Sequence, residues 1–266
     1  MKIPLNNITP LILTYNEAPN IERTLNQLYW AKQIIIVDSY STDETLAIIK
    51  KYPQIKIFQR HFDTHAQQWN YGLEQVNSEW VLSLDADYVL SQELIHEIKN
   101  LSLENGINGY FTPFKYCIFG KPLRGTLLPP RQVLFKKNTA IYIDDGHTQL
   151  LKNRGQVSAL NSYIYHDDRK PLHRWLQAQD RYMVIEAKKL AVTPNSELSF
   201  GDRIRKTKIF APGIILLYCL IINRCILDGW AGWYYTLQRV LAEIWLSIRL
   251  VEYEIMNKKF KGNLTQ

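Results

Sequence analysis

Cysteine is scarce: the 266-residue chain has three, Cys117, Cys219 and Cys225, and no two form a CxxC pair. An odd count without paired spacing argues against a disulfide framework, and a reducing compartment suits such a chain. Long apolar runs are missing too. The uninterrupted run at 213–222 is too short to span a bilayer. The opening MKIPLNNITPLIL carries one Lys and is broken by Pro4 and Pro10, so it does not read as a signal peptide. There is no internal repeat and no low-complexity segment. Residues 11–25 lack the Gly-rich phosphate loop of enzymes that make nucleotide-sugars. The basic residues form no single stripe and no nucleic-acid reader motif is present, which disfavours a nucleic-acid partner.

What is present suits one large domain, or one domain with an appendage: 46% of the residues are hydrophobic. A formal charge of +7 and a pI near 9.1 suit an anionic partner such as acidic lipid or a phosphorylated small molecule, or mark a merely basic surface. Over the first hundred residues, apolar runs alternate with helical patterns. LILT at 11–14, QIIIV at 33–37, IKIF at 55–58 and WVLSL at 80–84 read as strands, the second buried on both faces. Between them, helical periodicity places Ile21, Leu25 and Leu28 on one face, then Leu46, Ile48 and Ile49, then a helix over roughly 66–76. Ser91 caps a further helix with Leu94, Ile95, Ile98 and Leu101 along one side. This βα alternation predicts an α/β fold with a mostly parallel sheet covered by helices on both faces. Ligands of such sheets bind beyond the carboxyl ends of the strands.

Three polar stretches fall at those ends: TYNE, DSYSTDE and DAD. Two carboxylates spaced i, i+2 at the end of an apolar strand are costly to bury unless something neutralises them. Asp85 and Asp87 either share a divalent cation bridged to a diphosphate or belong to an ordinary turn before the Ser91 cap. Asp38 can accept from a nucleobase N–H or a ribose hydroxyl, while Thr42 or Asp43 caps the next helix. Glu17 has the same two readings, with Asn16 supplying turn chemistry.

TYNE, VDSYSTDET and FDTHAQQWNYGLEQVNSEWVLSLDADYVLSQEL resemble a family 2 glycosyltransferase of the GT-A fold, and within it the lipopolysaccharide core β-glucosyltransferase group. The likeness is strongest over 11–101 and continues through RQVLFKK, YHDDRKPLHRWLQAQDRYMVIEA and CILDGWAG. It implies a Rossmann-like GT-A sheet, a nucleotide-sugar donor such as a UDP-hexose, divalent Mn²⁺ or Mg²⁺, and inversion at the anomeric carbon. By the same resemblance Tyr15, Glu17, Asp38 and Ser39 hold the nucleoside, with Asp38 on the base N–H. Gln68 and Asn70 lie by the diphosphate or ribose. Asp85 and Asp87 meet metal and donor, and His166 is a further metal or phosphate candidate.

The sequence departs from the family at the catalytic base. Relatives carry a His-Glu pair after the strand equivalent to 140–143; here the stretch is IYIDDGHTQLL, and Thr148 stands beside His147 where the glutamate is expected. A hydroxyl of that kind is no base near neutral pH, so Asp145, with Asp144 and His147 behind it, is the candidate. Arg174-Trp175 matches part of the QxxRW element of processive relatives, but Pro171 occupies the Gln position, which favours single additions.

The last part differs in character. Arg203, Arg205, Lys206 and Lys208 precede an apolar stretch interrupted by Pro212, Asn223 and Arg224, and Trp230, Trp233, Tyr234 and Tyr235 follow. This pattern suits helices lying in the membrane interface, or equally a buried core helix or an oligomer contact. The expected organisation is a glycosyltransferase domain over 1–199 and a helical segment over 200–266. The expected partners are a nucleotide-sugar, a glycan or glycolipid acceptor of the cell envelope, the anionic inner-membrane surface on its cytoplasmic side, and a second copy of the chain. A nucleotidyltransferase or a lipid-binding scaffold are the rival readings.

Overall fold

The computed structural model describes residues 5–102, 106–145 and 148–263. They fall into two compact units. One runs up to Pro122 and includes Leu128–Lys170; the other is Leu123–Leu127 with everything from Pro171.

The first unit is built on a seven-stranded sheet. Its strands are β1 (Ile8–Thr14), β2 (Ile34–Asp38), β3 (Ile55–Gln59), β4 (Trp80–Asp85), β6 (Ile107–Thr112), β9 (Arg131–Lys136) and β12 (Gln156–Ala159), in the spatial order β12-β6-β9-β4-β1-β2-β3. Helices α1 (Ile21–Asn26), α2 (Thr45–Ile49), α3 (His65–Gln75) and α4 (Gln92–Asn100) connect them. The apolar runs explain the layering. Ile8, Ile12, Ile34, Ile36, Leu82 and Leu84 face one core with the apolar residues of α1 and α4. The intervening Leu11, Ile35, Val37 and Val81 face a second core with Ala66, Trp69 and Leu73 of α3. With a period of two and both faces apolar, the strands are buried on both sides. Gly72 lets α3 approach closely: a Cβ there would stand 2.7 Å from a Leu11 methyl.

One feature differs from the sequence expectation and another refines it. First, β1 starts at Ile8, ahead of the strand expected over 11–14. Pro10 is paired with Leu82 of β4, while pairing with β2 begins only at Leu11, so no ladder bond to β2 is required of its nitrogen. Second, the sheet is mostly parallel, as expected, with one strand reversed. β3, β2, β1 and β4 run parallel, but β9 is antiparallel to both β4 and β6. Ser91 caps α4 as expected, accepting from the Leu94 N–H at 3.1 Å.

A smaller sheet holds β5 (Tyr88–Leu90), β7 (Phe114–Ile118), β8 (Lys121–Pro122) and β13 (Ile164–His166) in the order β5-β13-β7-β8. A separate ribbon pairs β10 (Ala140–Asp145) with β11 (Thr148–Asn153). β13 brings His166 opposite Tyr88, next to the DAD turn.

In the second unit, α5 (Leu172–Val192) packs against the long α8 (Trp230–Asn263) through Met183, Ala187 and Leu190 on one side and Leu246 and Leu250 on the other. α5 lies within the stretch that the sequence reading assigned to the first 199 residues. Between these helices come α6 (Phe200–Arg205), α7 (Ala211–Leu217) and a single π turn, Tyr218–Ile222. Buried Glu186 of α5 is paired with Arg205 of α6 at 3.0 Å, and Arg205 reaches Glu243 of α8 at 3.2 Å. Asp228 accepts the Arg124 N–H and pairs with its guanidinium at 3.1 Å, which fixes the inserted 123–127 segment.

Gly232 starts α8 against the backbone of Cys225. A Cβ at this position would fall 1.8 Å from the Cys225 carbonyl oxygen, where no side-chain rotation relieves the clash. Gly232→Ala is therefore expected to destabilise the chain by about 2–3 kcal/mol, as overpacking does. Urea unfolding followed by circular dichroism measures it; a midpoint equal to the wild type would contradict this packing.

Candidate active site

Register alone gathers the polar strand ends. Thr14 is the Cα partner of Asp38, and Leu13 is that of Asp85, so TYNE, DSYSTDE and DAD leave the sheet side by side at its carboxyl edge. The strand order changes direction around β1, which is where open α/β sheets bind ligands.

Asp38 is fully buried and accepts four hydrogen bonds. They come from the Thr14 hydroxyl at 3.0 Å, the Ser41 N–H at 2.9 Å, the Ser41 hydroxyl, and the Gln59 amide at 3.2 Å. Four bonds match the lone-pair capacity of a carboxylate, so in this structure Asp38 holds the β2 loop. The same loop is sewn to TYNE. The Asn16 amide oxygen accepts from the Thr42 and Asp43 N–H groups at 2.7 and 3.2 Å, and Thr45 accepts from the Glu17 N–H at 2.7 Å. Asn16 and Tyr40 take left-handed backbone angles, φ 55° and 61°, the second unusual for an aromatic residue. Tyr40 is exposed and its ring lies 4.3 Å from that of His61; Tyr15 also points into solvent.

Ser39 accepts from the Gln68 amide at 3.0 Å, and buried Gln68 accepts from Arg60 at 2.6 Å. Asn70 makes a closed pair with the Tyr142 backbone, donating to its carbonyl and accepting from its N–H, both at 2.9 Å. The polar atoms of Gln68 and Asn70 thus tie α3 to its neighbours. β10 alternates as a strand must. Tyr142 is buried and stacked on Trp69 of α3 at 5.2 Å, and on the same side Asp144 accepts the Ala66 N–H at the start of α3 at 3.3 Å. Asp145 is exposed on the other side, paired in register with Thr148. His147 and Gly146 lie outside the described residues.

The DAD turn supplies the electrostatic centre. His166 Nε2 stands 3.0 Å from the Asp87 carboxylate. Burial alone would raise the Asp87 carboxyl, but the charge and hydrogen bond of His166, aided by Lys170, hold it down at about 2. The same pairing outweighs burial at His166 and raises its imidazole. Asp85 hydrogen-bonds Tyr88, whose hydroxyl is pushed up by burial and by the Asp85 charge. Burial opposes the charge of Arg131, yet Tyr88 and the two aspartates hold its guanidinium above the ordinary range.

Glu17 completes the group. It pairs with Lys170 at 2.8 Å and accepts the Asn20 amide at 2.9 Å. Asn20 also donates to Asp168 at 2.9 Å and accepts the Arg169 N–H at 2.9 Å, which anchors the segment after β13. Asp167 is buried and receives Arg23 at 2.7 Å, Arg169 at 2.7 Å and the Gly120 N–H at 3.0 Å. The structure therefore brings Glu17, Asp87 and His166 together around Lys170, with Asp85 beside them. Lys170, Arg131, Asn20 and Arg23 were not singled out in the sequence. The signal for them was the surplus of buried carboxylates, each of which requires a donor or a cation.

A divalent cation fits this arrangement in part. Among the described residues no group of three or more His, Cys, Asp and Glu side chains has the geometry to hold one. Asp87 and His166 do adjoin, and the buried His166 Nδ1 has no hydrogen-bond partner. Mg²⁺-type sites commonly use one or two carboxylates and leave the remaining positions to water and substrate phosphates.

Burial lifts the Glu17 carboxyl from its ordinary 4.5 to about 7, with Lys170 opposing and Asp87 assisting. A raised carboxyl binds its proton more tightly in the folded state. The stabilisation from that proton is complete below about 4.5 and is lost as pH rises through about 7. Glu17→Gln is expected to flatten the fall in thermal stability across this window, measured as melting temperature against pH. An unchanged slope would contradict the assignment.

Comparison with known proteins follows the same lines. The family model "Glycosyl transferase family 2" matches residues 11–152. An uncharacterized glycosyltransferase of Rickettsia felis is 26% identical over 204 residues, covering 70% of this chain and 71% of its own. The SPbeta prophage-derived glycosyltransferase SunS of Bacillus subtilis is 37% identical over 89 residues, 32% of this chain; the match spans only 21% of SunS. A crystal structure of S. aureus TarS in complex with UDP aligns over 96% of this chain and 91% of that one, at 15% identity and a TM-score of 0.44. With more than half of its length matched by the family model and its polar strand ends gathered at one sheet edge, the chain belongs to glycosyl transferase family 2.

Proposed function

We propose that the chain is an inverting, metal-dependent transferase that moves a hexose from a UDP-sugar to a glycan or glycolipid acceptor of the cell envelope. The observation that carries this reading is the cluster at the carboxyl edge: Asp87 with His166 at 3.0 Å, and Glu17 with Lys170 at 2.8 Å, in a family 2 chain. A donor diphosphate is dianionic or more, and the cluster offers it a lysine and an aspartate–histidine pair. Asp87, with His166 beside it, would hold Mn²⁺ or Mg²⁺ together with water and donor phosphate oxygens, and the ion would stabilise the charge that develops on the departing diphosphate. Lys170, one bond from Glu17, sits where its ammonium adds to that stabilisation. Tyr15 and the loop held by Asp38 and Ser39 border the same edge and would receive the nucleoside.

The acceptor hydroxyl must lose its proton as it attacks the anomeric carbon. Asp144 and Asp145 are both exposed at the end of β10, on opposite sides of the strand, and Asp145 is the one nearer His147 in the sequence. Asp145 is taken as the base in this reading.

Incubation with UDP-sugars, Mn²⁺ and water tests the reaction class. Slow release of UDP, lost in Asp87→Ala, is the expected result; no turnover of any donor would remove the proposal. For the base, Asp145→Asn should keep the UDP-sugar dissociation constant and slow transfer about a hundredfold or more. Asp144→Asn should act mainly on stability. Wild-type transfer by Asp145→Asn together with a slow Asp144→Asn would reassign the base to Asp144.

A further inference from the structure

The second unit carries a surface of unusual composition. Trp233, Leu237, Leu241, Ile244, Ile248 and Val251 recur every three or four residues along α8 and are 41–61% exposed. They form one stripe about 27 Å long at the helical rise. The opposite side of the same helix, Tyr235, Ala242, Leu246 and Leu250, is the side that is buried. The apolar exposure continues outside α8: Ile209 is 85% exposed and Phe210 69%, and Ile221 and Ile222 of the π turn are similarly open. A soluble monomer ordinarily exposes no contiguous apolar patch beyond about 300–600 Å². Trp230 and Trp233 stand at the amino-terminal end of the stripe, a residue type that favours the membrane–water boundary.

Charge is divided as unevenly as hydrophobicity. The second unit holds 15 of the 32 Lys and Arg and 8 of the 25 Asp and Glu, so the whole formal +7 belongs to it. The first unit holds 17 of each and is neutral. Two copies meeting through this unit would bring +7 against +7. An anionic surface is attracted instead. Among the described residues no helix is long and apolar enough to cross a membrane.

We propose that the exposed apolar side of α7, the π turn and α8 docks on the surface of an anionic lipid bilayer. The helices lie in the interface, with apolar side chains among the acyl chains and the unit's basic residues attracted to the headgroups. This docking is independent of the sugar-transfer reading, since it involves none of the residues at the sheet edge.

Truncation is a poor test, because removing α8 strips α5 of its packing partner. The full chain is instead floated with vesicles of phosphatidylcholine alone or mixed with phosphatidylglycerol. The expected result is flotation with the mixed vesicles, weakened by added salt. Leu237→Ser, Ile244→Ser and Ile248→Ser combined should lower partitioning at least tenfold, by rough area bookkeeping. These side chains are exposed, so circular dichroism should be unchanged. If the triple variant misfolds, Ile209→Ser with Ile222→Ser, which flank α7, gives the same reading. Absence of flotation with anionic vesicles, or equal flotation of the folded variant, would overturn the proposal. So would a lipid-free dimer that the triple variant dissolves, which would assign the face to a second copy. Hydrolysis of a soluble UDP-sugar, measured in parallel, reports the transfer reaction separately.

Discussion

Carboxylates buried at the carboxyl edge of a parallel sheet must be neutralised, and much of the irregular structure of the first unit meets that need. An isolated buried charge costs several kcal/mol, and removing one partner of a buried pair costs about 3–5 kcal/mol. Each acid at this edge has a different solution. Asp38 is satisfied by hydroxyls and an N–H of its own loop and by the neighbouring strands. Asp167 takes two arginines. Glu17 shares Lys170 and has its carboxyl lifted by burial. Asp87 alone rests on an imidazole, a partner that can exchange a hydrogen bond for a cation. The acids that are fully satisfied hold the loops of this edge together.

The two units divide the physical tasks. The first is electrically neutral and organises its charges inward, at one sheet edge. The second carries the net positive charge and leaves an apolar helix side uncovered. Charge pairs are thus concentrated in the first unit's interior, and net charge and apolar exposure in the second.

Much of the fold was legible because its signals are local. IIIV at β2 is apolar at every position and buried on both faces; Ser91 caps α4 through its own hydroxyl. Residues 8–10 fell outside the expected strand, and Pro10 is tolerated in it because the register pairs β1 with β4 alone at that point. At the site, the carboxylates Glu17, Asp38, Asp85 and Asp87 stood out at strand ends. His166 was singled out as a metal or phosphate candidate, but its pairing with Asp87 and the role of Lys170 were not, because both come from the far end of the unit and long-range pairing leaves no trace in spacing. Gln68 and Asn70 show the converse. The resemblance singled them out, but the bonds they make to Arg60, Ser39 and the Tyr142 backbone were not legible in the sequence.

The central claim is that Asp87 and His166 mark where the donor diphosphate sits. A crystal of the full chain grown with UDP and Mn²⁺, with data collected at the manganese absorption edge, tests it most directly. The account predicts one anomalous peak within coordination distance of the Asp87 carboxylate, with diphosphate oxygens completing the shell and Lys170 beside them. A peak held by other residues, or UDP bound away from the edge formed by β1, β2 and β4, would contradict it.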